Sequence, residues 1–354
     1  MLLEVDKLSV SLEEFSILSE ISFSLEAGEI LGLVGESGSG KSMTARAIMG
    51  LLPKDIHQSG GEIRLDGQDL AQLAPTVRRR MLGREVAMIF QDPMTSLNPL
   101  YTIEHQLIEA LRIHQPSVSK SKARSLARER LAEVEIKDPE SSLQKYPHQF
   151  SGGQRQRICI AMALMNVPRI LIADEVTTAL DVTVQYHILE LLRSLSQKYD
   201  MGLIVVSHNL ALIKHLCQRV LVLYTGRILE SGTVAEVLDT PRHPYTHELL
   251  AAIPENAVKG EPIATIAGQV PSLYDPKPIC PFYPRCRYAL PSCIEGELNY
   301  RQYSETHFVL CARAEETPRL FMERVRELQL RNEGKPENIG EPRSDSTPGN
   351  EARS

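Results

Sequence analysis

The chain has 354 residues, a formal net charge of -6, 42% hydrophobic residues, six cysteines and no tryptophan. That length suits about two domains with a large core, and the acidic balance supplies no basic excess for nucleic acid; Arg78, Arg79 and Arg80 read as a solvated helix face. No run of about 18 apolar residues occurs, and residues 1–6 lack the basic-then-apolar order of an export signal. The expectation is a chain that neither spans a bilayer nor is secreted.

Residues 3–10 and 21–25 alternate apolar and polar positions around Glu13, Glu14 and Ser16, which predicts an antiparallel hairpin. Phe15 is placed either to stack on an adenine or simply to pack. The apolar run 30–34 predicts a buried strand, residues 35–42 fit G-x-x-x-x-G-K-S/T, and residues 43–52 are helix formers. Strand, glycine-rich loop and helix in that order make a P-loop. Gly35, Gly38 and Gly40 clear side chains from a backbone whose N–H groups, with the positive helix end, face a polyphosphate. Glu36, Ser37, Ser39 and Met43 complete the contacting stretch, Lys41 reaches the outer phosphates, and Ser42 offers a hydroxyl to Mg²⁺.

Strands are predicted at 60–66 and 86–90, the second ending at Gln91, which can touch Mg²⁺ or an attacking water. Two prolines, Pro93 and Pro99, argue against a helix in 92–99. Helical spacing of Ile103, Leu107, Leu111, Leu126, Leu131 and Val134 predicts a helical insertion over 103–145. Ser151-Gly152-Gly153-Gln154 opens a helix over 154–165 and is either a plain cap or a second anion nest. The strand 169–175 closes on two acids: Asp174 can hold the Mg²⁺ shell and Glu175 can polarise a water for in-line attack. Ala179, Leu180 and Asp181 precede a helix at 184–197, and a strand at 203–206 leads to His208, which reads either as a contact to the γ-phosphate or as a structural hydrogen-bonding residue. A hairpin turns at Gly226, a helix follows at 234–238, and Arg242-His243-Pro244-Tyr245-Thr246 marks the exit from the nucleotide-binding part.

Cys159 and Cys217 stand alone and read as core packing. Cys280, Cys286, Cys293 and Cys311 are spaced C-x5-C-x6-C-x17-C, and in a chain without an export signal they point to metal rather than disulfides. Four thiolates suit zinc or an iron–sulfur cluster; spacing does not decide, although no C-x2-C pair favours a zinc ribbon. Residues 254–275 are rich in Pro and Gly, 318–331 form an amphipathic pattern with Phe321, Val325 and Leu328, and 334–354 read as a disordered tail.

The set Gly35 to Ser42, Gln91, Ser151 to Gln154, Asp174, Glu175, Asp181 and His208, in this order, resembles the ATP-binding cassette of the ABC transporter superfamily. The resemblance implies an α/β P-loop NTPase fold with a mixed core sheet, an antiparallel β lobe and an α-helical subdomain, and a small C-terminal cysteine-rich metal-cluster domain. It also implies a head-to-tail dimer in which ATP lies between one P-loop and the other chain's Ser151 to Gln154, with Asp181 beside it. Residues 88–99, His243-Pro244-Tyr245-Thr246 and the terminal cysteines are similar to peptide and nickel importer ATPases. That similarity implies a cassette over residues 1–252 with its helical subdomain at about 92–165, a 4Fe–4S domain over 253–316, a helix in 317–333 and a tail over 334–354. It further implies a second related ATPase, two transmembrane permease subunits, an extracytoplasmic solute-binding protein, and a peripheral place on the cytoplasmic face of the inner membrane.

Four positions depart from the pattern: Val176 for a proline, Phe150 for a leucine, Asn209 for an aspartate, and Leu12 where an aromatic often meets adenine. Val176 removes a fixed φ after Glu175 and predicts looser positioning. A soluble ABC ATPase acting on nucleic acid is disfavoured by the single cassette and the absence of a basic stripe or long coiled coil, and an exporter ATPase leaves the cysteines unexplained.

Overall fold

The computed structural model describes residues 1–176, 181–253, 265–275, 278–295 and 297–323. β1 (Leu3–Leu12) and β2 (Phe15–Leu25) form the expected hairpin, turning at Glu13 with a left-handed φ of +51°. β3 (Ile30–Val34) runs through the glycine-rich loop into α1 (Lys41–Met49), after which β4 (Ile56–Leu65) returns to pair with β1 and β5 (Gln68–Asp69) pairs with β4. The result is a four-stranded antiparallel sheet in the order β2-β1-β4-β5.

α2 (Pro75–Met81) carries the three arginines on a helix with no buried residue, as their solvated reading requires, and leads to β6 (Val86–Ile89). The segment after Gln91 departs from expectation, because α3 (Pro93–Ser96) is a one-turn helix. Pro93 sits at its first position, where no backbone N–H is needed, and the Asp92 carboxylate caps the turn by accepting from Met94 N at 2.7 Å. Proline therefore starts this turn.

α4 (Ile103–Arg112), α5 (Lys120–Glu133), α6 (Pro139–Leu143) and α7 (Gly152–Ala163) make the helical insertion. Ile103, Leu107, Leu111, Ala123, Ala127, Leu131 and Leu143 are all fully buried there. Each large apolar chain so buried contributes roughly 1.5–3 kcal/mol against its exposed state. Beneath α5, the Arg130 guanidinium donates to Glu133 at 2.6 Å, to the Tyr199 hydroxyl at 2.7 Å and to the Leu164 carbonyl at 3.2 Å, tying the insertion to the core.

β7 (Ile170–Asp174), α8 (Val182–Tyr199), β8 (Gly202–Val206), α9 (Leu210–Leu216), β9 (Arg219–Tyr224), β10 (Arg227–Thr233) and α10 (Pro244–Ala251) follow, and the helix expected over 234–238 is present as a wide π-helical turn at Ala235–Asp239. β11 (Arg301–Gln302) and β12 (Phe308–Val309) then join the edge of the core sheet, whose order is β11-β12-β10-β9-β3-β8-β7-β6. The run from β9 to β6 is parallel and covered on both faces, which is why its strands read as unbroken apolar stretches. Leu31 and Leu33 of β3, with Ile170 and Ile172 of β7, pack toward α1 and the antiparallel sheet. Their neighbours Ile30, Val34, Leu171 and Ala173 pack with α7 to α9, together with Cys159 and Cys217. Burial pushes the Cys159 thiol up to about 12 and Cys217 higher still, so both are inert packing groups.

Residues 317–323 begin a helix, but Val325, Leu328 and the 334–354 tail lie outside the described residues, as do Ala179, Leu180 and residues 254–264. Among the described residues no helix is long and apolar enough to cross a membrane.

Two carboxyls weld the C-terminal strands to the cassette. Glu230, fully buried on β10, accepts from Arg242 N at 2.7 Å, His243 N at 3.1 Å and Thr246 Oγ1 at 2.6 Å, and meets His307 Nε2 at 2.9 Å. Glu230→Ala strands those groups without water and should cost about 3 kcal/mol or more, read as a fall in urea midpoint. At Glu236 burial acts to raise the pKa, yet hydrogen bonds from Ser304, Thr233 and Thr306 hold the carboxyl down to about 2. Its stabilising effect is therefore present in full above the ordinary glutamate value and is lost as pH falls through about 2. The stability gap between the parent chain and Glu236→Gln should close over that acid window.

Candidate active site

The site forms where β3, β7 and β8 end at the same edge of the parallel sheet. Glycine is required in two places there. At Gly35, with φ +147°, an added Cβ would lie 2.1 Å from the Leu223 carbonyl; at Gly40, with φ +105°, it would lie 2.7 Å from Leu18. These two positions bend the backbone so that α1 starts directly at Lys41, and Gly38, with φ +78°, faces open space between them. A turn elsewhere braces the bend, since Gly226 N donates to Ser39 O at 2.9 Å.

The Lys41 ammonium is almost buried and donates to the carbonyls of Gly35 and Glu36, both at 2.9 Å. Burial pushes its pKa below the ordinary lysine value, against the pull of Glu175, Asp174 and Glu36. Ser42 Oγ donates to Asp174 Oδ1 at 2.8 Å, joining the start of α1 to the end of β7. Burial pushes the Asp174 carboxyl up, the Ser42 hydrogen bond opposes it, and the charge of Glu175 adds to the rise. A hydroxyl beside a poorly solvated carboxylate is a hard-oxygen donor set that fits Mg²⁺ bridged to phosphate.

Glu175 follows in a left-handed conformation, φ +47°, with its N–H donating to Val206 O at 3.0 Å. That kink turns its side chain out of the strand alternation. Its Oε2 accepts from Gln91 Nε2 at 2.9 Å, and Oε1 stands 4.0 Å from Nδ1 of the exposed His208. Gln91, Glu175 and His208, distant in sequence, thus meet at one edge. Val176 is buried in the helix-side core, so packing holds the backbone where a proline would have fixed φ.

Ser151 caps α7 by accepting from Gln154 N at 3.4 Å, while Gln154 Oε1 accepts from Ser151 N at 2.9 Å, with Gly152 and Gly153 forming the first turn. Asp181 likewise caps α8, accepting from Val184 N at 3.0 Å. Phe15 meets Tyr274 edge to face at 4.8 Å, a packing contact within the chain.

The cysteine-rich segment brings its four thiols into one neighbourhood. Cys280, Cys293 and Cys311 are buried and Cys286 half-buried, none is in a disulfide, and their thiols are close enough to act on one another. Burial, the largest cause, pushes Cys280 and Cys311 up to about 12. Among the described residues, however, no group of three or more His, Cys, Asp or Glu is arranged to hold a metal ion. The four thiols are thus a neighbouring set of soft donors, and no metal centre is formed among the described residues.

Two contacts were not foreseen. Tyr245, read as part of an exit segment, is fully buried and its hydroxyl accepts from Glu36 N at 2.9 Å. Arg285, between two of the cysteines, donates to both carboxylate oxygens of Glu36 at 2.6 and 3.1 Å. A P-loop glutamate facing an isolated arginine 249 positions away leaves no local pattern to read.

The family described as ABC transporter matches residues 18–178, and the one described as oligopeptide/dipeptide transporter, C-terminal region, matches residues 229–293. The chain is 47% identical over 296 residues to the dipeptide transport ATP-binding protein DppD of Escherichia coli K12, covering 82% of this chain and 90% of that protein. It is 44% identical over 314 residues to the oligopeptide transport ATP-binding protein OppD of Bacillus subtilis 168, covering 87% of each. Among solved structures, a dimeric post-hydrolysis state of the ATP-binding cassette MJ0796, bound to ADP and Pi, matches with a TM-score of 0.58 and 26% identity, covering 66% of this chain and 98% of that one. With the P-loop, the Ser42–Asp174 pair and the Gln91–Glu175 pair in place, the chain belongs to the ATP-hydrolysing ATP-binding subunits of ABC transporters, in the dipeptide and oligopeptide branch.

Proposed function

We propose that this chain drives uptake of dipeptides, oligopeptides or related small solutes. It would do so on the cytoplasmic face of the inner membrane, beneath two permease subunits fed by an extracytoplasmic binding protein. A second, related ATPase completes the dimer. The reading is carried by the end of β7, where two hydrogen-bonded pairs, Ser42 with Asp174 and Gln91 with Glu175, lie beside Lys41. The dipeptide and oligopeptide transport ATP-binding proteins to which the chain is similar supply the solute class. Nickel, a metallophore or an opine is the alternative cargo, since nothing in the cassette selects the solute.

In this reading the N–H groups of Ser37, Gly38 and Gly40 to Met43, with the Lys41 ammonium, grip the phosphates of ATP, while Glu36 N–H is held by the Tyr245 hydroxyl. Ser42, Asp174 and Gln91 would hold Mg²⁺, which supplies charge neutralisation to the triphosphate when bound. Glu175 accepts the proton of the attacking water, held for that purpose by Gln91, and His208 faces the γ-phosphate from the end of β8. Ser151 to Gln154 and Asp181 serve the ATP of the opposite subunit, so that two nests close on one nucleotide. Gln91 leads directly into α3, through which closure reaches the permease. Cys280, Cys286, Cys293 and Cys311 retain four soft donors suited to a 4Fe–4S cluster or to zinc, and no step of the cycle runs through them.

Glu175→Gln should retain ATP binding, lower turnover by about 100-fold or more, and accumulate a closed dimer by size-exclusion chromatography; undiminished turnover sinks the assignment of the base. Purification of the tagged chain from membranes should bring integral permease subunits with it, and the ligand eluted from the cognate binding protein should be a short peptide. Recovery of RNA or DNA in place of membrane subunits would overturn the importer reading.

A further inference from the structure

We propose that Arg285 is a positioning residue of the ATP site, which holds the P-loop in its phosphate-ready shape from a turn of the cysteine-rich segment. Glu36 is the residue through which it acts, and all three of its polar parts are held. Its N–H donates to the Tyr245 hydroxyl at 2.9 Å, its carbonyl accepts from Lys41 Nζ at 2.9 Å, and its carboxylate takes the two-pronged contact from Arg285. The Arg285 side chain is only 3% exposed. With the arginine so shielded and the Glu36 side chain 25% exposed, the bidentate pair fixes direction as well as distance, unlike a fully solvated surface pair.

The arginine is itself immobilised. Its Nε donates to Ala267 O at 2.9 Å, Nη2 to Ile266 O at 3.3 Å and Nη1 to the Tyr224 hydroxyl at 3.3 Å. Its backbone ends the tight turn Tyr283–Arg285, in which Tyr283 N donates to Cys280 O and Cys286 N to Tyr283 O, while Cys280 N donates to Cys293 O. Phe282, from the same stretch, packs against Tyr224 and Tyr245 with ring centroids 5.4 and 5.2 Å apart. Strand β9, helix α10 and the cysteine turn thus converge on one P-loop residue.

The consequence concerns binding more than chemistry. Arg285 pairs with Glu36 and is hydrogen-bonded to neither Asp174 nor Glu175; it acts on a glycine-rich loop that otherwise samples many conformations, of which few align its N–H groups. Loosening Glu36 therefore weakens ATP binding and leaves the hydrolytic step largely intact. This rests on ATP binding at the P-loop and is independent of which solute the transporter carries.

The test uses the full chain in its assembled transporter, with KM for ATP, kcat and equilibrium ATP affinity measured for Arg285→Gln, Arg285→Lys, Glu36→Gln and the double variant Glu36→Gln/Arg285→Gln. Arg285→Gln should raise KM for ATP about tenfold with kcat changed less than about twofold. Arg285→Lys should recover part of the affinity, because an ammonium supplies the charge but not the fork. The double variant should be no weaker than the worse single one. Should Arg285→Gln fail to fold, Glu36→Gln carries the test, because it breaks the same contact without emptying the turn. Unchanged ATP affinity in a folded single variant, a loss confined to kcat, or effects that multiply in the double variant overturns the proposal. Loss of ATP hydrolysis by the parent assembly would instead overturn the ATPase reading, and the two failures are separable.

Discussion

The site depends on withholding water from opposite charges at the ends of parallel strands. Lys41 and Asp174 are buried on adjoining elements, and each pays in desolvation for its place: the lysine is pushed down and the aspartate up. That strain is tolerated because the sheet behind them is covered on both faces and cannot relax, with β3 and β7 packed into two separate cores. A magnesium nucleotide brings the complementary charges, so the resting protein is preorganised for the ligand and not for itself.

Much of this was legible in the sequence because it is local. The P-loop is a contiguous stretch in which the conformational demand falls on glycines, and the structure shows contacts that forbid side chains at Gly35 and Gly40. The buried strands were legible because a doubly covered sheet leaves an apolar run bounded by glycines and acids. Glu175 and Gln91 could be paired only through the order of motifs, since 84 residues separate them and neither alone is diagnostic. Where a rule was applied without its position it misled: proline blocks a helix interior, yet Pro93 begins one, and α3 exists because of it.

What was not legible is the return of the chain onto its own beginning. His243 to Thr246 looked like an exit, but Thr246 and His243 feed the buried Glu230, and Tyr245 reaches the P-loop. The four cysteines read as a ligand set because their number and softness suit metal. Number and spacing do not choose between a cluster and zinc, and the backbone bond from Cys280 N to Cys293 O, which brings two of the cysteines together, left no local pattern to read.

The contact between Glu36 and Arg285 spans 249 positions, and β12 pairs with β10 across about 80 residues of chain. During translation at about 5–20 residues per second, the nascent P-loop leaves the ribosome roughly ten to fifty seconds before its arginine does. The nucleotide pocket is thus among the last parts to mature, although its sequence is among the first synthesised. A chain cut short after the cassette would carry every ATP motif yet lack the Arg285 contact to Glu36.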